Sequence, residues 1–324
     1  MRNHPTGNHP TARAVSRSDT SARSASLAHR ALAAWNRFFF TEGSNRTLCL
    51  VRLLFGAVFV LRNTLYGGFH NPGNMKFEVP RHLYESRKDY TLAGNHAPVW
   101  GFGWLPIPSF DQLQLLEAVV VVLGAFFALG LFTRVVGPLV ALGFAYIFFL
   151  SQFHYWHHAQ CLLLVLLVLG FSPCADHYSL DALIRRYREG RPPPPRMILP
   201  KRLLQLTVSL IYSLTCIVKL NAGWFTGDIL RVFESDGSIR GMWADAILSV
   251  VPLQAMSLGT IFVEGLLAFG LWFRKTRTLT VVSGVGLHLG IDMLMQVRTF
   301  SLQMFVLYFL FREERDPASD ADPS

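Results

Sequence analysis

A lysine stands in an otherwise apolar stretch, Ile211-Tyr-Ser-Leu-Thr-Cys-Ile-Val-Lys219-Leu-Asn-Ala-Gly-Trp224-Phe-Thr-Gly227. Charge inside a bilayer is costly, so such a residue is a functional candidate by default. Two readings of Lys219 stand side by side. It snorkels its ammonium to the outer headgroups, or burial favours its neutral amine, which then acts as a base. A second group lies in Phe153-His-Tyr-Trp-His-His-Ala-Gln160. His154 and His158 have i, i+4 spacing, which invites a metal. They straddle a predicted turn, however, and no carboxylate or cysteine supplies a third ligand at the expected spacing. No metal is therefore expected. His158, with His157 beside it, is a candidate for orienting a substrate or passing protons in the outer leaflet, against a purely structural hydrogen bond. Glu264 and His288 fall near mid-membrane, and Asp292 shares a helix face with His288. Either these groups satisfy one another and fix helix packing, or they line a proton path open to the outer side, where Arg298 lies. Snorkelling accounts for Arg52 and Arg62, near opposite ends of one span. Cys216 is read as a packing residue, and a redox role would need Cys161 as its partner.

The elements that must hold these residues are membrane helices. Of 324 residues, 51% are apolar and only 16% charged, where a soluble domain carries about 25% charge. A soluble enzyme is disfavoured. The apolar residues come in blocks close to bilayer length. Eight spans are predicted: Leu48–Leu65, Leu113–Phe132, Val135–Leu150, His157–Phe171, Leu203–Leu220, Val251–Phe273, Leu279–Met295 and Phe300–Phe311. The fold class expected is an all-α integral membrane protein. The Ser-, Thr-, Ala- and Arg-rich arm 1–30 has too little apolar surface to fold, and Ser26–Phe40 reads as a helix on the membrane surface. Residues 313–324 read as a solvated tail.

The net charge of +9 need not mean nucleic acid, and no nucleic-acid partner is expected, because the basic residues sit between the apolar blocks. With the N-terminus inside, twenty Lys and Arg fall in inside segments, seven in outside loops and three within spans. That excess places both termini in the cytoplasm and points to the plasma membrane. The basic segment Arg185–Arg202 contains four consecutive prolines, a stiff linker that divides the spans four and four. Gly130-Leu-Phe-Thr-Arg134 recurs as Gly270-Leu-Trp-Phe-Arg274. This suggests two four-helix repeats, about 48–171 and 203–311, facing the same way.

The segment around Lys219 resembles that around the catalytic lysine of vitamin K-dependent gamma-glutamyl carboxylases. More broadly, it resembles the horizontally transferred transmembrane (HTTM) domain family that contains them. The shared features are a Tyr, then Lys-Leu seven residues later, then Ala, Trp and Gly. His157-His158 leading through an apolar helix to Tyr178-Ser-Leu-Asp181 is similar to a second family segment, and Phe300-Ser-Leu-Gln-Met-Phe305 to the last one. The resemblance runs from about Asn36 to Arg312.

It implies that Lys219 deprotonates a reduced vitamin K-like quinone, with His158 in the active site and Tyr212, Asn221, Trp224 and His288 around the cofactor. O2 and CO2 would be co-substrates, and lipid quinone and membrane lipid the partners. The carboxylases carry a large C-terminal domain that is not seen here, which puts carboxylation of a docked protein in doubt. Small bacterial members of the sporulation-delaying protein B type imply an alternative: a partner in maturing or exporting a secreted peptide, without redox chemistry. A small-molecule transporter, with Lys219 as counter-ion, is a third reading.

Overall fold

Lipid offers no hydrogen-bond partner to a backbone, so long runs of Leu, Val and Phe satisfy their peptide groups as helices. A computed structural model describes residues 29–65, 99–150, 157–190, 193–241, 243–295 and 299–314. After a helix at 29–40 (α1), the large helices are α2 (Arg46–Leu65), α3 (Phe110–Leu129), α4 (Thr133–Phe149) and α5 (His157–Gly170). An amphipathic helix follows, α6 (Leu180–Glu189). Then come α7 (Leu199–Val218), three short helices, α8 (Ala222–Phe225), α9 (Asp228–Ser235) and α10 (Ala244–Leu248), and the long pair α11 (Leu253–Gly270) and α12 (Arg274–Met295). The last helix, α13 (Thr299–Tyr308), tightens into a 3-10 turn at Phe309–Phe311.

Helices thus stand at all eight places where spans are expected, with ends displaced by no more than five residues. Five of them (α2, α3, α7, α11, α12) are long and apolar enough to cross a membrane, while α4, α5 and α13 are shorter. Neither α6 nor the three short helices is expected from the sequence. The arm before residue 29 and the tail after 314 lie outside the described residues, as do Arg298 and His154.

Within the first half, α2 packs on α3, α3 on α4 and α4 on α5; within the second, α7 packs on α11, α11 on α12 and α12 on α13. Contacts of α13 with α2 and of α5 with α7 join the halves. Small residues set the closest crossings. A Cβ on either Gly137 (α4) or Gly170 (α5) would lie 2.7 Å from the carbonyl oxygen of the other.

The α3–α4 turn explains two sequence features. Ser109 and Gln112 form a capping box at the start of α3, and Gly130, at φ 71°, ends it. Asp181 then accepts from the amides of Phe132 (2.9 Å) and Thr133 (2.8 Å), at the start of α4. Ser179 N-caps α6 by accepting from Ala182 N at 2.9 Å. The Tyr178-Ser-Leu-Asp181 segment therefore closes this end of the bundle.

Arg52 does not snorkel. Its side chain is fully buried and donates to the carbonyls of Phe127, Ala128, Cys174 and Tyr178. Two of these acceptors lie in the last turn of α3, where the helix runs out of amide donors, although the Gly130 amide also reaches the Phe127 carbonyl at 3.1 Å. Reaching four carbonyls gains more than reaching headgroups when the side chain starts beside a helix C-terminus. Arg62 is buried as well, so snorkelling fails for both. Arg52→Met is expected to strand the carbonyls in a dry site and cost about 3 kcal/mol or more, read as a lowered unfolding temperature in detergent.

The same end is tied by charge. A two-stranded ladder pairs β1 (Glu42–Gly43) with β2 (Arg196–Met197). Beneath it Asp176 accepts from Asn45 (2.9 Å) and Arg196 (2.7 Å) and pairs with Arg185 (3.0 Å). Glu314 accepts from Thr47 N (3.1 Å) and Lys201 (3.0 Å). Burial pushes both carboxyls up, but their hydrogen bonds and cations outweigh it and hold both below their ordinary values. Carboxylates depressed on folding stabilise the protein fully above their unfolded values near 4, and that contribution is lost as pH falls through the folded ones. Unfolding temperature is therefore expected to drop on acidification below about pH 4, and less steeply in Asp176→Asn.

Candidate functional site

A helical side chain leans toward the helix N-terminus. Lys219, the C-cap residue of α7, accordingly points back along its helix. Its Nζ donates to the Thr215 carbonyl, one turn earlier, at 3.3 Å. Both carboxylate oxygens of Glu264, on α11, lie 2.9 Å from the same Nζ. The two side chains are 16% and 8% exposed. The choice left open between snorkelling and burial is thus decided by direction: the ammonium goes into the bundle, to a carboxylate.

Trp224 completes the group. Its ring centroid is 5.0 Å from Lys219 Nζ, a cation–π distance. The ring is held by a short connection that the sequence encodes locally. Asn221 accepts from Trp224 N at 3.3 Å and donates to the Val218 carbonyl at 2.9 Å, so it caps α8. Gly227 takes φ 80°, and a Cβ there would lie 2.7 Å from Gln254 N. Ser257 donates to the Trp224 carbonyl and Gln254 to that of Phe225. Ser257 and Glu264 are seven residues apart on α11, so one helix face pins the Trp224 turn and carries the carboxylate.

Two turns before Lys219, on the same face of α7, Tyr212 starts a second polar group. Its hydroxyl lies 2.7 Å from His288 Nε2 and 2.6 Å from the Tyr308 hydroxyl. Each hydroxyl has one proton, so the chain runs Tyr308 to Tyr212 to His288 or the reverse. Ser301 donates to the His288 carbonyl (3.1 Å), and the rings of Phe300 and Phe305 enclose the imidazole. His288 Nδ1 and both amide atoms of Gln303 are buried without a hydrogen-bond partner among the described residues. Such groups are uncommon in folded proteins.

The expected sites are therefore regrouped. Glu264 and His288 do not satisfy each other: Glu264 goes to Lys219, and His288 to Tyr212. Asp292 lies on α12, one turn beyond His288. His158 opens α5 half-buried, at the end of the bundle where α7 finishes. The side chain of His157, and Arg298 altogether, lie outside the described residues. All four cysteines are free, and Cys216 donates weakly to the Ile261 carbonyl on α11 (3.5 Å), between the two polar groups. Tyr308 and Gln303 escape sequence reasoning because each reads as an ordinary residue of an apolar segment.

The chemistry available is that of an acid–base pair in a dry site. A hydrogen-bonded lysine and carboxylate can exist as two ions or, after one proton moves between them, as amine and acid. An aromatic ring covers the cationic form, and a tyrosine–histidine chain lies two turns away. No curated protein and no solved structure matches the chain. Residues 40–315, from the end of α1 through every large helix and both polar groups, match the HTTM domain. With well over half of its 324 residues inside that match, this membrane protein belongs to the HTTM domain family.

Proposed function

We propose that this protein is a carboxylase-like membrane enzyme that removes a proton from the hydroxyl of a reduced quinone at an outer-leaflet site. The observation that carries the reading is the Lys219–Glu264 pair, both oxygens at 2.9 Å from one amine. A lysine held only as a counter-ion has no need of an aromatic cover or a dry setting. Where the lysine is a base, Glu264 can take the ammonium's proton, and the Trp224 ring stabilises the ammonium that forms when the next proton is taken up.

The residues fit a flat, amphipathic phenol. The polar pair sits beneath Trp224, and Ile217, Val218 and Leu220 around it are exposed apolar side chains suited to a lipid tail. When bound, a reduced quinone supplies an acidic hydroxyl and two electrons for O2, with CO2 as the further co-substrate if carboxylation follows. Lys219 as free amine accepts the proton and becomes ammonium. Glu264, carrying the proton the pair exchanged, keeps the site from gaining a second negative charge. Trp224 stabilises the ammonium, and Tyr212 with His288 offers a route for the next proton transfer. In this reading all eight large helices cross the plasma membrane as two parallel four-helix repeats, with both termini in the cytoplasm. The two matching turns, at Gly130 and Gly270, support the duplication: each ends one helix and opens the next within its half.

The test is aerobic oxidation of a reduced naphthoquinone by protein in lipid nanodiscs, followed by absorbance. Oxidation by wild type and none by Lys219→Met is expected. Equal rates in the two would remove the lysine from the chemistry and return the peptide-partner reading to first place.

A further inference from the structure

We propose that the groove beside α6 binds the headgroup of an anionic glycerophospholipid. The groove, about 730 Å³, lies at the basic end of the bundle between the start of α2, the end of α3 and α6. Its lining combines basic residues, Arg46, Arg185 and Arg186, with apolar ones, Leu53, Leu129 and Leu183, and includes Asp176, which is paired with Arg185 and Arg196. Arg185 is committed to Asp176 at 3.0 Å. Arg46 and Arg186 are exposed, and neither enters an ion pair among the described residues. Two open guanidiniums facing one groove form an anion site, since guanidinium matches phosphate oxygens in charge and fork geometry.

The second observation concerns α6 itself, which buries no residue. Leu180, Leu183, Ile184 and Tyr187 recur at i, i+3, i+4 and i+7 and are all exposed, Tyr187 to 94%. An exposed apolar stripe flanked by arginines is the pattern of a helix lying in the headgroup layer. The occupant follows from the basic and apolar lining together. A free phosphate or a nucleotide would use the arginines and leave the leucines in water. A phosphodiester joined to acyl chains uses both, its phosphate against Arg46 and Arg186 and its chains along Leu53 and Leu129. In the orientation proposed above this end faces the inner leaflet, which supplies such lipids to juxtamembrane basic residues. The chemistry at Lys219 does not enter this inference.

The experiment is native mass spectrometry of the full chain in detergent, titrated with dioleoylphosphatidylglycerol or dioleoylphosphatidylcholine. We expect one phosphatidylglycerol to be retained with about tenfold preference. That preference should vanish in Arg46→Gln/Arg186→Gln, with unfolding temperature in the absence of lipid unchanged, because both side chains are exposed. Arg186→Gln alone is read the same way, so the test survives if Arg46 is needed for folding. Equal retention of the two lipids, a preference that persists in the variants, or displacement of the lipid by millimolar glycerol phosphate would each overturn the proposal.

Discussion

Lys219→Arg is expected to abolish quinol oxidation while leaving the protein folded. Arginine keeps the positive charge, reaches Glu264 with a fork suited to both carboxylate oxygens, and still stacks on Trp224. It cannot give up its proton at any working pH. If Lys219 serves as a counter-ion, arginine should serve nearly as well. If it is the base, the rate should fall by about 10²–10⁴, the usual worth of a positioned proton acceptor. Lys219→Met should show the same loss of rate together with a lower unfolding temperature, since it strands the Glu264 carboxylate. Retained turnover in Lys219→Arg would exclude the amine as base.

The second large effect is on stability. Glu264→Gln leaves a lysine ammonium in a dry site with the Thr215 carbonyl, the Trp224 ring and a neutral amide but no counter-charge. Breaking one side of a buried pair costs about 3–5 kcal/mol, whereas replacing both sides by apolar residues is often neutral. Glu264→Gln is therefore expected to unfold well below wild type. The double variant Lys219→Met/Glu264→Met should recover most of that loss and remain inactive. Thermal unfolding of the three proteins in one detergent measures this. A double variant as unstable as the single one would mean that the two residues stabilise the bundle independently. The pattern matters for function because it separates a pair kept for stability from one kept at some cost for chemistry.

Much of the architecture is legible in the amino-acid sequence. Burial in lipid imposes helix on any long apolar run, so Leu48–Leu65 and Leu113–Phe132 could become little else, and the helices end within a few residues of those bounds. The segment from Tyr212 to Trp224 is legible as a candidate site because charge at membrane depth is rare. The amphipathic helix α6 is not legible in this way, because its arginines read as topology signals and its apolar stripe is too short to stand out between them. Arg52 misleads for a physical reason. Snorkelling is a property of one helix in lipid, and the carbonyls that capture Arg52 belong to α3 and to the loop at Cys174–Tyr178, all remote in sequence.

By itself, the chain determined helices, their approximate ends, the basic side of the bundle and the presence of a costly lysine. These follow from hydropathy, charge and local capping, which act over a few residues. Only the tertiary structure decided the partners. Glu264 and His288 lie on neighbouring helices at similar depth, and either could have faced the other. Packing of α11 against α7 turns Glu264 to Lys219, and packing among α7, α12 and α13 turns His288 to Tyr212 and Tyr308. Helix depth is set by the solvent and is written locally. Helix rotation is set by which small and large side chains meet across an interface, and no single segment carries that information.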